Sequence, residues 1–267
     1  MHVQIDELVE IVKIVSTLIT LVVLSIQDWR TRELDGRIVY SYLMLSILMF
    51  FTSTMISHLP LETLLFYTFF SVVTTSGLFI LLYITGLAGD GDVYVATSLG
   101  LMFPYITSYK FTLQRIGLLP PCMVVVFYAS AFALVLMIAN STWVLIRYRD
   151  AVSRIPLKYK FIIPLIGRPV RIREYLRGKY KYYYPLQFFE VRNEGVLVHF
   201  KLFTSINSEE VSSLHNLINK GLLSMDDYIW ITPGLPFILY LLIGFILMLV
   251  FADKPILFII SKIISLK

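Results

Sequence analysis

Six apolar stretches, at about residues 8–26, 38–56, 61–85, 92–108, 118–146 and 237–252, set the limits on what this chain can fold into. A helix needs roughly 20 apolar residues to cross the hydrocarbon core of a bilayer. Inside lipid every backbone polar group must be satisfied internally, so a spanning segment is a helix or part of a closed barrel. Barrel strands are short and alternate in polarity, whereas these runs are continuous. The chain is therefore expected to be an all-α polytopic membrane protein with six transmembrane helices. Of its 267 residues 57% are hydrophobic and only 15% charged, far from the balance of soluble domains.

The polar remainder is concentrated before the last apolar run. Fourteen of the 23 lysines and arginines fall between residues 147 and 220. Beside membrane segments such a block reads as a cytoplasmic face attracted to anionic lipid, not as a nucleic-acid surface. Residues 186–192 and 196–202 are β-rich and flank Asn193-Glu194-Gly195, the pattern of a hairpin. Ser208 with Glu209 and Glu210 predicts a helix start, Val211, Leu214, Leu217 and Ile218 its apolar stripe, and Gly221 its end. The expected organisation is a membrane domain over 1–146, a small mixed α/β cytoplasmic domain over 147–229, and a sixth membrane helix with its tail over 230–267. The tail, 255–267, is too short to cross alone and either extends that helix or lies in the interface.

Arg30, Arg32 and Arg37 follow the first run and mark that loop as cytoplasmic. Six crossings then place both termini outside and both arginine-rich regions inside. Asp6, Glu7 and Glu10 stand where a secretory signal would be basic, so the first run is expected to be retained. Cys122 is the only cysteine, which excludes an intrachain disulfide and a cysteine-based zinc site.

Acidic residues at membrane depth are costly and mark function by default. Asp28 closes the first run, and Gly89-Asp90-Gly91-Asp92 opens the fourth at the same membrane face. Two carboxylates that meet share one proton, so one acts as base on a water while the other protonates a carbonyl. Helix fields favour the anion at Asp92, near a helix N-terminus, over Asp28, near a C-terminus. Asp90 is a weaker alternative to Asp92 or a group that tunes it. Asp35 reads as solvated loop charge, and Gly86 and Gly89 as positions that ease helix packing.

Asp28 followed by Arg30-Thr31-Arg32, with Gly89-Asp90-Gly91-Asp92 at the fourth run, resembles the GxGD aspartic proteases of the prepilin peptidase type. Trp230-Ile231-Thr232-Pro233 with Pro236-Phe237 resembles the archaeal branch, the prepilin and preflagellin (archaellin) signal peptidases. The resemblance implies an intramembrane-type endopeptidase, with Asp28 and Asp92 catalytic and no cofactor. It would remove class III signal peptides, short basic leaders before an apolar helix, from pilin or archaellin precursors at the cytoplasmic face of the cell membrane. Many members carry Lys soon after the motif aspartate and Ile-Pro-Asn after the first; here Val93-Tyr94 and Leu34-Asp35-Gly36 stand instead. Bacterial relatives often carry a paired-cysteine zinc domain and methylate the product. This chain lacks those cysteines, so no methyltransferase activity is expected. A basic leader facing a basic domain calls for acidic recognition, by Glu33, Asp35 or Asp90. The competing class is a small proton- or cation-coupled transporter, disfavoured because both acids lie at one face rather than at the midplane.

Overall fold

A computed structural model describes residues 2–57, 59–115, 117–180, 182–192, 195–200, 208–233 and 236–265. In chain order the helices are α1 (His2–Thr31), α2 (Gly36–Ile56), α3 (Leu61–Ile84), α4 (Asp90–Met102) and α5 (Pro121–Arg147). Two short helices follow, α6 (Arg149–Ser153) and α7 (Ile162–Ile166). Then come β1 (Arg168–Arg171), α8 (Ile172–Leu176), β2 (Tyr183–Pro185), β3 (Gln187–Arg192), β4 (Gly195–Phe200), α9 (Ser208–Asn219) and β5 (Tyr228–Pro233). The last two helices are α10 (Phe237–Phe251) and α11 (Lys254–Ser265). The chain divides into two compact units, Met1–Ala133 with Pro236–Lys267, and Leu134–Leu235, the first boundary falling inside α5.

The first unit is a helical bundle. Among the described residues four helices are long and apolar enough to cross a bilayer: α1, over Asp6–Thr31, then α2, α3 and α5. The pair α10 and α11 makes a fifth span only if both arms of its 80° bend count as one. Six spans are not confirmed, and the shortfall lies at the fourth run. With 13 residues, α4 is about 20 Å long, short of the roughly 30 Å hydrocarbon core. Pro104 is the reason. The residue before a proline is pushed out of the helical region, and Phe103 sits at φ −127°, ψ 51°. A 3₁₀ turn at Ile106–Phe111 takes up the rest of that run.

Although short, α4 is central. Val95, Ala96, Leu99 and Met102 are fully buried. A Cβ placed on Gly100 would lie 3.1 Å from Val72 Cα and 3.3 Å from the Ser71 carbonyl, so α3 approaches backbone to backbone there. On the other side, the Tyr94 ring meets Tyr40 of α2 edge-on at 5.4 Å. Outward residues such as Phe66, Phe69, Met44 and Leu81 are exposed and apolar, as lipid-facing surface requires. Interior hydroxyls pair with one another: Thr17 with Tyr42 at 3.0 Å, and Ser76 with Thr97 at 2.8 Å.

In the second unit an antiparallel sheet runs in the order β1-β5-β2, so the Trp230-Ile231-Thr232-Pro233 stretch is its central strand. β3 and β4 form the expected hairpin, with Gln187 opposite Phe200 and Arg192 opposite Gly195. Its turn residues Asn193 and Glu194 lie outside the described residues, as do Lys201 and Leu202 and the side chains of Ser208, Glu209, Glu210 and Val211. Leu214 and Leu217 of α9 are buried, and Gly221 ends that segment with φ +69°.

Candidate active site

The glycine-rich turn is built from two helix ends. α3 stops at Thr85, and Gly86 follows at φ +73°, in the left-handed region. Gly86 N–H donates to Tyr83 O at 2.9 Å and Leu87 N–H to Leu82 O at 2.8 Å. This is a Schellman ending, which favours glycine at that position. Nothing lies within 4 Å of a Cβ at Gly86, so its role is backbone conformation and not helix packing.

α4 then begins after Gly89. Asp92, in its first turn, reaches back and accepts the Gly89 N–H at 2.8 Å, one half of a capping box. Asp90 accepts the Gly91 N–H at 2.8 Å and is exposed. Gly91 is constrained by its neighbour: a Cβ there would stand 2.9 Å from Leu34 Cδ1 and 3.4 Å from Leu34 Cβ. The α1–α2 loop therefore lies directly on the start of α4, which brings the end of α1 to the turn.

Asp28 lies one turn before the end of α1 and is only 7% exposed. Its Oδ2 accepts the N–H of Ile238 at 3.3 Å. That donor belongs to the first turn of α10, where helical N–H groups lack intrahelical partners. Asp28 thus caps a helix distant in sequence. Its Oδ1 faces the Arg32 guanidinium at 3.8 Å. Arg32 sits at φ +56°, a conformation that costs a non-glycine residue about 1–2 kcal/mol. Its cation also stands over the Trp29 ring at 5.8 Å.

Asp92 is half-buried, at the start of a helix too short to be a span. Burial pushes its carboxyl up to about 7, the Gly89 N–H opposes that, and the negative charges of Asp28 and Asp90 push it further up. The two expected acids are therefore electrostatically coupled. The expected preference for the anion at Asp92 is not what the surroundings produce, because desolvation outweighs the helix N-terminus.

Asp35 is exposed and accepts the Arg37 N–H at 2.9 Å through one oxygen as the N-cap of α2. Glu33 is exposed beside it. Sequence reasoning missed the Ile238 N–H, the Leu34 contact and the left-handed Arg32. Pro236-Phe237 does signal a helix start, but not which acid would meet it. Among the described residues no group of three or more His, Cys, Asp or Glu side chains is placed to hold a metal ion.

Part-buried carboxylates at the end of α1 and the start of α4, in a helical bundle with membrane-length helices, are groups able to do acid–base chemistry. Residues 15–138, which include both acids, match the type IV leader peptidase family. Residues 159–254 match the archaeal peptidase A24 C-terminus, type II. The chain belongs to the archaeal prepilin/preflagellin peptidase family, and it is a multi-pass membrane peptidase. No curated protein matches it.

Proposed function

We propose that this chain is an aspartic endopeptidase that removes the basic leader of a pilin or archaellin precursor at the cytoplasmic membrane face, with Asp28 and Asp92 as its catalytic pair. The observation that carries the reading is the buried Asp28 carboxylate, held by the Ile238 N–H and close enough to Asp92 for its charge to raise that group's proton affinity. The pair then works with one proton, carried by Asp92. Asp28 removes a proton from a water as its oxygen attacks the scissile carbonyl carbon, and Asp92 protonates the carbonyl oxygen. In the second half Asp28 passes its proton to the leaving nitrogen, the C–N bond breaks, and Asp92 recovers the hydroxyl proton. Arg32 holds Asp28 in place.

A substrate with a basic leader and an apolar helix suits such a site, since the helix stays in lipid while the bond to be cut reaches water. Exposed Glu33, Asp35 and Asp90 are the acids offered to the leader, since Asp35 and Asp90 each commit only one carboxylate oxygen to a backbone N–H. The basic residues of 147–220 face anionic lipid.

The test is to reconstitute the protein in vesicles with a synthetic precursor and identify the products by mass spectrometry. A single cut between the basic leader and the apolar segment is expected. An intact precursor, above all with ion flux across the vesicle, overturns the reading in favour of a transporter.

A further inference from the structure

Within the second unit, the chain that leaves α5 does not run straight into the sheet. It turns back along the end of a membrane-crossing helix. The last turns of α5 carry exposed Trp143, Leu145 and Ile146, followed by Arg147. An exposed tryptophan followed by an arginine marks a membrane–water interface. Asn140 lies a turn deeper, in the apolar part of the span. Its amide donates to the Pro164 and Gly167 carbonyls, each at 3.2 Å. Val144 shares a buried cluster with Ile155 and Ile163. Asn140 precedes Arg147 by seven positions, about 10 Å along the helix. The segment containing α7 is therefore pinned alongside the last turns of α5, next to the interface that Trp143 and Arg147 mark. Free carbonyls are costly beside lipid, and Asn140 satisfies two of them.

The side chains of the segment sort into two sets. Ile155 and Ile163 are buried, and Tyr159 packs on Phe200 at 5.5 Å. Leu157 is 79% exposed, Phe161 83% and Ile162 42%. The two sets alternate along the same few residues, so the exposed set is a second face and not a shortage of core to bury it. Left in water, side chains of this size forfeit the gain of removing their apolar surface from solvent. Around them stand Arg154, Lys158 and Lys160, and no acidic residue occurs from Ala151 to Arg173. The Lys158 ammonium lies over the Tyr159 ring at 5.2 Å.

We propose that residues 154–166 form a wedge that inserts into the bilayer beside the end of α5. Leu157, Phe161 and Ile162 enter the acyl region, and Arg154, Lys158 and Lys160 reach anionic headgroup phosphates. The occupant of this face is lipid, because the segment is tied to a spanning helix by Asn140 and its charges are of one sign. The wedge fixes the depth of the second unit independently of what the active site cleaves.

The test uses full-length protein in phosphatidylglycerol-containing vesicles. An environment-sensitive fluorophore is attached to cysteines at Leu157→Cys, Phe161→Cys and, as a control in the same unit, the exposed Asn219→Cys. Native Cys122 is fully buried and stays in place. Labels at 157 and 161 are expected to be quenched by doxyl-labelled acyl chains and screened from aqueous iodide, with the reverse at 219. Acyl-chain quenching weakens in vesicles without anionic lipid. Iodide quenching at 161 equal to that at 219 overturns the wedge. Screening at 161 from both quenchers also overturns it, since protein then covers the face. Equal acyl-chain quenching without anionic lipid removes the role of the three cations.

Discussion

At the scale of single residues, the site depends on which groups touch the two acids. Burial raises Asp92 to about 7, and Asp90 adds to the rise. A pair that works with one proton loses activity when that proton leaves. The kcat/KM of precursor cleavage should therefore fall by about tenfold per pH unit above roughly pH 7. Removing a negative charge beside Asp92 lowers its proton affinity, so Asp90→Asn should move this limb to lower pH. A pH–rate profile that rises through pH 7, or a limb moved upward by Asp90→Asn, contradicts the assignment. Gly91 makes a separate claim. A methyl there meets Leu34 Cδ1 at 2.9 Å, an overpacking that costs on the order of 1 kcal/mol or more. Gly91→Ala should lower kcat/KM several-fold, and adding Leu34→Ala should restore much of it. Additive losses in the double variant would show that Leu34 is not what excludes a side chain at 91.

At the scale of elements, what could be read from sequence follows physical range. The long apolar runs foretell α1, α2, α3 and α5 because lipid solvation is a local, additive property of composition. The fourth run misleads for the same reason. Apolarity continues past Pro104, but the helix cannot, and it ends at Met102. The hairpin of β3 and β4 and the glycine that ends α9 are also short-range signals. Contacts that join distant segments leave no such trace. Nothing near Asp28 in the sequence announces the Ile238 N–H, and nothing near Gly91 announces Leu34. Gly100 is a third case, a glycine inside an apolar helix that reads as neutral but meets the backbone of α3. Gly100→Leu should force α3 and α4 apart and cost about 1–3 kcal/mol or more, seen as a lower melting temperature in detergent. Gly77→Leu, where a Cβ meets nothing within 4 Å, is the control and should melt much closer to the wild type. Equal melting of the two variants would contradict the close packing.

At the scale of the whole molecule, the family matches extend over both units, residues 15–138 and 159–254, while the acids of the site belong to the first. That unit holds an acid from the end of α1 on the N-terminus of α10, and an acid at the start of α4 that feels its charge. Its far end is secured by similar means, since buried Asp253 accepts the N–H groups of Leu118 and Leu119 at 2.6 and 2.9 Å. The central claim is that Asp28 and Asp92 act as one unit. Groups that act together are strongly non-additive when removed singly and jointly. The direct measurement is the cleavage rate of Asp28→Asn, Asp92→Asn and the double variant, each with its melting temperature. The expected result is folded protein in all three cases, with rates reduced by about 10²–10⁴-fold and the double variant no slower than the singles. A single variant that cleaves at the wild-type rate, or a double variant whose loss is the product of the two single losses, would contradict it.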